Sequence, residues 1–248
     1  MHSFTILLSI IATYLVYSNG EITIKKITGG VSGTGNSSRY WDCCKPTCSW
    51  PGNVQYKQPV KACKADGKTP NDPENQSGCI GGQSYTCTQQ HCYSKNDTLA
   101  YGFVAAQFNG AMTKGRNMCC ACVLLTFHTY WPSTLNGKQL LAQVTNTGND
   151  DPDPKDNLFD IAMPGSGVGY YDKGCTTQWN TTEEIWGNQY GGLDHERDCY
   201  NLPEPLVDGC LFRFQWMAAY SNPDVSFEEV ECPRELLDIS GCPPVSPP

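Results

Sequence analysis

The sequence predicts a mainly β protein, a small barrel of short strands whose long loops are held by disulfides. Strand-like runs recur, each bounded by Gly, Pro or Asn. Between Trp50 and Asn96 the chain is polar and rich in Pro, Gly and Cys, with no sustained period of either 3.6 or 2, which reads as cross-linked loop. Fifteen cysteines spread from Cys43 to Cys242 place the chain in an oxidising environment and staple it along its length. A length of 248 residues lies within the range of one β-rich domain, so one core is expected.

The elements follow in order. Phe4 to Val16 is a mostly apolar run too short to span a bilayer, followed by Tyr17-Ser18-Asn19-Gly20, so residues 1–20 read as a signal peptide cut after Ser18 or Gly20. Residues 21–36 end in a glycine-rich run with no anchor of its own and are expected to form a flexible arm. Residues 37–242 form the barrel domain, and 243–248 a C-terminal tail. Strands are expected at Cys122–Thr129, Gln139–Thr147, Leu158–Met163, Leu211–Trp216 and Val225–Val230. In the fourth of these, Phe212, Phe214 and Trp216 alternate with Arg213 and Gln215, the pattern of a half-buried strand. Ala100–Phe108 fits a strand or a helix equally well. Pro233–Asp238 fits a short terminal helix opened by its proline. No internal repeat and no linker to a second module is visible.

The formal charge is -8, and residues 1–20 contain no Lys, Arg, Asp or Glu, so their removal leaves that balance in place. An acidic surface repels phosphate backbones and anionic lipid, which argues against nucleic-acid and membrane partners but leaves a neutral polysaccharide open. Four acceptor triplets for N-glycosylation begin at Asn36, Asn75, Asn96 and Asn180. Cys119-Cys120-Ala121-Cys122 and His91-Cys92 lack the recurring spacing of a zinc site, so no metal is expected. Pro164-Gly165-Ser166-Gly167-Val168-Gly169 is neither a nucleophile elbow nor a dinucleotide loop, and reads as backbone that turns tightly.

The densest chemistry lies in Ser37-Ser38-Arg39-Tyr40-Trp41-Asp42-Cys43-Cys44-Lys45-Pro46-Thr47-Cys48. Sugars present apolar ring faces and hydroxyls, so a protein that cleaves them needs aromatic platforms and carboxylic acids; Tyr40, Trp41 and Asp42 supply both. This stretch resembles the signature of glycoside hydrolase family 45, the small secreted endo-β-1,4-glucanases. Further matches are Ser77-Gly78-Cys79, Ala100-Tyr101-Gly102-Phe103, Cys119-Cys120-Ala121-Cys122, Phe159-Asp160, Pro164 to Gly169, Tyr190-Gly191-Gly192 and Cys232-Pro233. The resemblance spans residues 37 to 242.

The resemblance implies a six-stranded double-psi β-barrel and hydrolysis with inversion, with Asp42 as general base and Asp160 as general acid. It also implies an auxiliary aspartate in the loop after Thr147-Gly148, where Asp150 is the choice ahead of Asp151 and Asp153. Tyr40 and Trp50 correspond to sugar-contacting aromatics. Lys45, three positions beyond Asp42, is placed with the substrate-binding residues and would help to keep Asp42 ionised if the chain turns there. Asp160, flanked by Leu158, Phe159 and Ile161, should sit in the drier setting. The implied disulfides are Cys43–Cys175, Cys44–Cys79, Cys48–Cys119, Cys63–Cys87, Cys120–Cys242, Cys122–Cys232 and Cys199–Cys210, with Cys92 left over. The expected protein is a secreted monomer without cofactor, acting on plant cell-wall polysaccharide. A preference for xyloglucan or glucomannan, or a non-hydrolytic expansin-like wall-binding role, are the alternatives, and the presence of Asp42 argues against the last.

Overall fold

The long apolar run at Cys122–His128 is buried along nearly its whole length because one face lines a barrel and the other lies under loops. A computed structural model of the chain describes residues 22–55, 58–130, 133–147 and 156–244. The strands are β1 (Ser32–Tyr40), β2 (Ala62–Cys63), β3 (Tyr85–Thr86), β4 (Tyr93–Ser94), β5 (Leu99–Gln107), β6 (Cys122–His128), β7 (Gln139–Asn146), β8 (Leu158–Ala162) and β9 (Asp224–Val230). The helices are α1 (Gly110–Thr113), α2 (Lys173–Trp179), α3 (Val207–Gln215) and α4 (Arg234–Ser240). Six strands close in the order β5-β7-β6-β9-β1-β8, with β8 pairing back onto β5. Two neighbouring pairs, β1/β8 and β5/β7, are parallel, and the other four are antiparallel. This is the closed barrel that the resemblance implies, and closure leaves no free edge among the six strands.

The barrel interior is filled by alternate residues of each strand. Phe159 and Phe227 meet with ring centroids 4.9 Å apart, and Phe108 contacts both edge-on. Phe159 and Ile161 of β8 point inward, so Leu158, Asp160 and Ala162 occupy its outer face. A second apolar cluster packs outside the barrel wall beneath the loops, with Trp41, Tyr101, Phe103, Leu141, Trp186 and Leu206. Glu229, 1% exposed at its side chain, is neutralised by Arg116, whose Nη1 donates over 2.8 Å, and it also accepts from the Val31 amide. A buried carboxylate needs such a partner.

Two expectations change. Residues 26–36 are not a free arm: Lys26 bridges Val230, the Ile27 amide donates to Glu229, and the strand starts at Ser32. The glycines there let β1 pass close to its neighbours, since a Cβ on Gly35 would lie 2.6 Å from the Asn157 carbonyl oxygen. Leu211–Trp216 lies in α3 and its C-cap rather than in a strand. Arg213, expected on the wet face, is buried and donates to the carbonyls of Gly165 and Leu193, while Phe212 stacks on Trp216 one helical turn away. The five residues 212–216 satisfy both periods, and helical burial of Cys210, Arg213 and Met217 decides between them. Ala100–Phe108, left open between strand and helix, contributes to strand β5, and Pro233–Asp238 opens α4 with the proline as N-cap. The expected signal peptide and residues 245–248 of the tail lie outside the described residues.

The seven disulfides are those that the resemblance implies, and Cys92 is the buried free cysteine. No helix among the described residues is long and apolar enough to cross a membrane.

Candidate active site

Parallel pairing of β1 with β8 sets Ser38 opposite Asp160 and Tyr40 opposite Ala162, all on the outer face of the barrel. On its other side Asp160 is level with Ala105 of β5. The Ser38 hydroxyl donates to Oδ1 of Asp160. Burial raises the Asp160 carboxyl above the ordinary carboxylate range, and the Ser38 bond opposes that rise.

Beyond Tyr40 the chain leaves the sheet but stays pinned to it. The Met163 amide donates to the Tyr40 carbonyl, and the Trp41 amide to the Gly167 carbonyl, so the turn at Pro164–Gly169 is fastened to the end of β1. Asp42 follows, half-buried, and its Oδ1 accepts from the Cys44 amide over 2.9 Å. Cys43 takes a left-handed φ of 62°, costly for a residue with a side chain, and its disulfide to Cys175 of α2 holds it there. Gly174 lets α2 approach, because a Cβ there would lie 2.3 Å from the Asp42 carbonyl oxygen.

Burial pushes the Asp42 carboxyl up to about 6, against the hydrogen bond from Cys44. Tyr40 sits within electrostatic reach of both carboxylates; burial and then the Asp42 and Asp160 charges raise its phenol, which also bonds the Asn146 side chain at the end of β7. A narrow cleft beside these residues is lined by Tyr40, Trp41, Asp42, Gln90, Thr145 and Ala162.

Lys45 does not serve Asp42. Its ammonium donates to the carbonyls of Pro73 and Asn75 and lies 3.1 Å from the centroid of the Trp50 ring, because the chain after Cys44 turns toward the 73–75 loop. Burial lowers it to about 8. The expected contrast, with Asp160 in the drier setting, is not seen in the shifts, since burial raises both carboxyls. One face of Trp50 is covered by Lys45. Lys45→Met is therefore expected to leave the acidic limb of the pH–rate profile in place, a result checked by kcat/KM measured across pH 4–8. Asp150, Asp151 and Asp153 fall outside the described residues. The sequence reading passed over Asn146 and Thr47, which meet when the Thr47 amide donates to Asn146 Oδ1 over 3.0 Å; their nearness to the Thr147-Gly148 loop was the available signal. Among the described residues no cluster of three His, Cys, Asp or Glu side chains could hold a metal.

Two desolvated carboxylates within electrostatic reach of one phenol, on the outer wall of a disulfide-held barrel, define a site suited to acid–base chemistry on a bound polymer, the class to which glycoside hydrolases belong. Residues 34–243 match the family model for glycosyl hydrolase family 45. The chain is 45% identical over 221 residues to an endoglucanase of Phaedon cochleariae, covering 88% of each protein. It is 42% identical over 214 residues to an endoglucanase of Cryptopygus antarcticus, covering 86% of this chain and 91% of that one. The crystal structure of the cellulase from that Antarctic springtail superposes with a TM-score of 0.77 at 40% identity, covering 86% of this chain and 98% of the other. The chain belongs to glycosyl hydrolase family 45 and is a glycoside hydrolase.

Proposed function

We propose that this protein is an endo-acting hydrolase of β-1,4-glucan that cuts with inversion, Asp42 serving as general base and Asp160 as general acid. The observation that carries the reading is the shared placement of the two carboxylates about Tyr40. Asp160 is level with Ser38, and Asp42 stands four residues further along the chain, roughly 13 Å if it were fully extended. Inversion requires carboxyl groups about 6.5–9.5 Å apart with a water molecule between one of them and the anomeric carbon, and a separation within that extended span accommodates it.

The hydrogen bonds support a division of work between the carboxylate oxygens. Ser38 occupies Oδ1 of Asp160, so the carboxyl proton is carried on Oδ2, free to meet the leaving oxygen. Cys44 occupies Oδ1 of Asp42, so Oδ2 is left for water. As the bond from the anomeric carbon to the leaving oxygen breaks, Asp160 gives that oxygen its proton. The water oxygen bonds the anomeric carbon from the opposite face, and Asp42 takes the water's proton. Solvent then resets both groups. Tyr40, kept neutral by its raised phenol, offers an uncharged wall to the sugar between them.

The names of the relatives support a cellulose-type substrate, and the acidic surface suits a neutral polymer. Release of reducing ends from carboxymethylcellulose, xyloglucan and glucomannan tests the substrate. Cleavage of the first with a falling viscosity ahead of reducing-end release is expected; activity on xyloglucan or glucomannan alone would overturn the substrate assignment, and binding without cleavage of any would overturn the enzymatic one.

A further inference from the structure

We propose that Asn96 carries an N-linked glycan, and that its first N-acetylglucosamine seats in a pocket beside the β4–β5 turn. The four acceptor triplets differ sharply once folded. Asn36 lies on the outer face of β1, two residues from Ser38, whose hydroxyl is committed to Asp160. The Asn75 amide nitrogen donates to Asn71, and Ser77 of that triplet is buried, accepting from the amides of Lys45 and Cys79. Asn180 is exposed at the end of α2 in a left-handed conformation.

Asn96, Asp97 and Thr98 are all exposed. The Asn96 side-chain oxygen accepts from the Thr98 amide over 2.9 Å, the Leu99 amide over 2.8 Å and the Thr98 hydroxyl over 3.1 Å. Its Nδ2 has no partner among the described residues and faces outward. Beside it opens a pocket of about 420 Å³, within the range that holds small molecules, lined among others by Tyr93, Asp97, Lys138, Asp208, Gln215 and Trp216. The half-buried Tyr93 ring with the hydrogen-bonding groups of Asp97, Asp208 and Gln215 suits an acetylated amino sugar, while Trp216, stacked on Phe212 and covered by the Lys138 ammonium, forms the pocket floor. The Trp216 indole donates to the Asn96 carbonyl over 2.9 Å, which ties the acceptor turn to the pocket wall. The turn is remote from the groove: Asp160 pairs with Ala105, six residues along β5 from Leu99, roughly 20 Å at 3.3 Å per residue.

The transfer needs a lipid-pyrophosphate-linked oligosaccharide as donor and the transferase of a eukaryotic secretory pathway. The Asn96 nitrogen bonds the anomeric carbon of the first sugar and loses a proton, and the bond from that carbon to the pyrophosphate oxygen breaks, its electron pair leaving with the lipid pyrophosphate. Protein secreted into the medium by insect cells is digested and deglycosylated with a peptide N-glycosidase in heavy-oxygen water, and its peptides are weighed. Heavy-oxygen conversion of Asn96 to aspartate is expected in most molecules and is lost in Thr98→Ala; an unmodified Asn96 in the secreted wild type overturns the site. In protein trimmed to one N-acetylglucosamine, nuclear Overhauser contacts between the N-acetyl methyl and the rings of Tyr93 or Trp216 are expected, and their absence overturns the seating.

Discussion

Asp42→Asn is expected to lower kcat by about 10²–10⁴ while making the protein more stable at neutral pH. Loss of rate follows from removing the group that takes the water's proton; the amide keeps the Cys44 hydrogen bond and so preserves the turn. The gain in stability follows from the sign of the Asp42 shift. Its carboxyl titrates at about 6 in the folded protein, above the ordinary value of 3.8, so the folded state holds the proton more tightly than the unfolded chain does. Stability is lost as pH rises from the lower value through the higher, and above pH 6 the native state bears a desolvated charge worth about 3 kcal/mol. Asn removes that charge. For a domain of this size the midpoint should rise about 6–12 °C at pH 8 relative to wild type. The difference should vanish below about pH 3, where Asp42 is protonated in both states. The same titration sets the acidic limb of wild-type kcat/KM near pH 6, because only the carboxylate accepts a proton. Differential scanning calorimetry at pH 3 and pH 8 checks the first claim, and a variant equally destabilised at both would contradict it.

The double variant Cys43→Ser/Cys175→Ser is expected to lose about 5 kcal/mol of stability in the chain-entropy treatment, since that bridge closes 132 residues. The double variant Cys199→Ser/Cys210→Ser, whose bridge closes 11, should lose about 3 kcal/mol. Against a total of about 5–15 kcal/mol for a typical domain, the first loss is large. It also releases Cys43 from its left-handed backbone and frees the turn that carries Asp42, so kcat should fall with stability, whereas the second bridge ties Cys199 of the 196–201 turn to Cys210 of α3 and does not hold Cys43. Urea unfolding together with kcat at 25 °C separates these. Equal stability losses would contradict the loop-length account, and undiminished turnover in the first variant would contradict the positioning role.

Much of the fold was legible because burial leaves a local mark. Cys122–His128 is apolar on both faces, and Leu158–Ala162 and Asp224–Val230 carry strand patterns within one residue or two of their bounds. The α3 segment misled because a five-residue window of aromatics fits either period, and the inward Arg213 could be known only from the carbonyls it meets. The arm was misread because β1 owes its order to β9 and β8, partners more than a hundred residues away, rather than to anchors within it. The carboxylates were visible only through a family signature: nothing local brings Ser38 to Asp160 across 122 residues of chain. Lys45 failed as a partner for Asp42 because spacing along the chain does not say which way a turn points.

Proton NMR of the first sugar released from a soluble β-1,4-glucan oligomer, recorded before mutarotation, tests the pairing of Asp42 and Asp160 most directly. Water activated by Asp42 on the face opposite Asp160 must yield the α-anomer at the new reducing end. Initial formation of the β-anomer would mean that a carboxylate attacks carbon directly, and would remove Asp42 from its role as base.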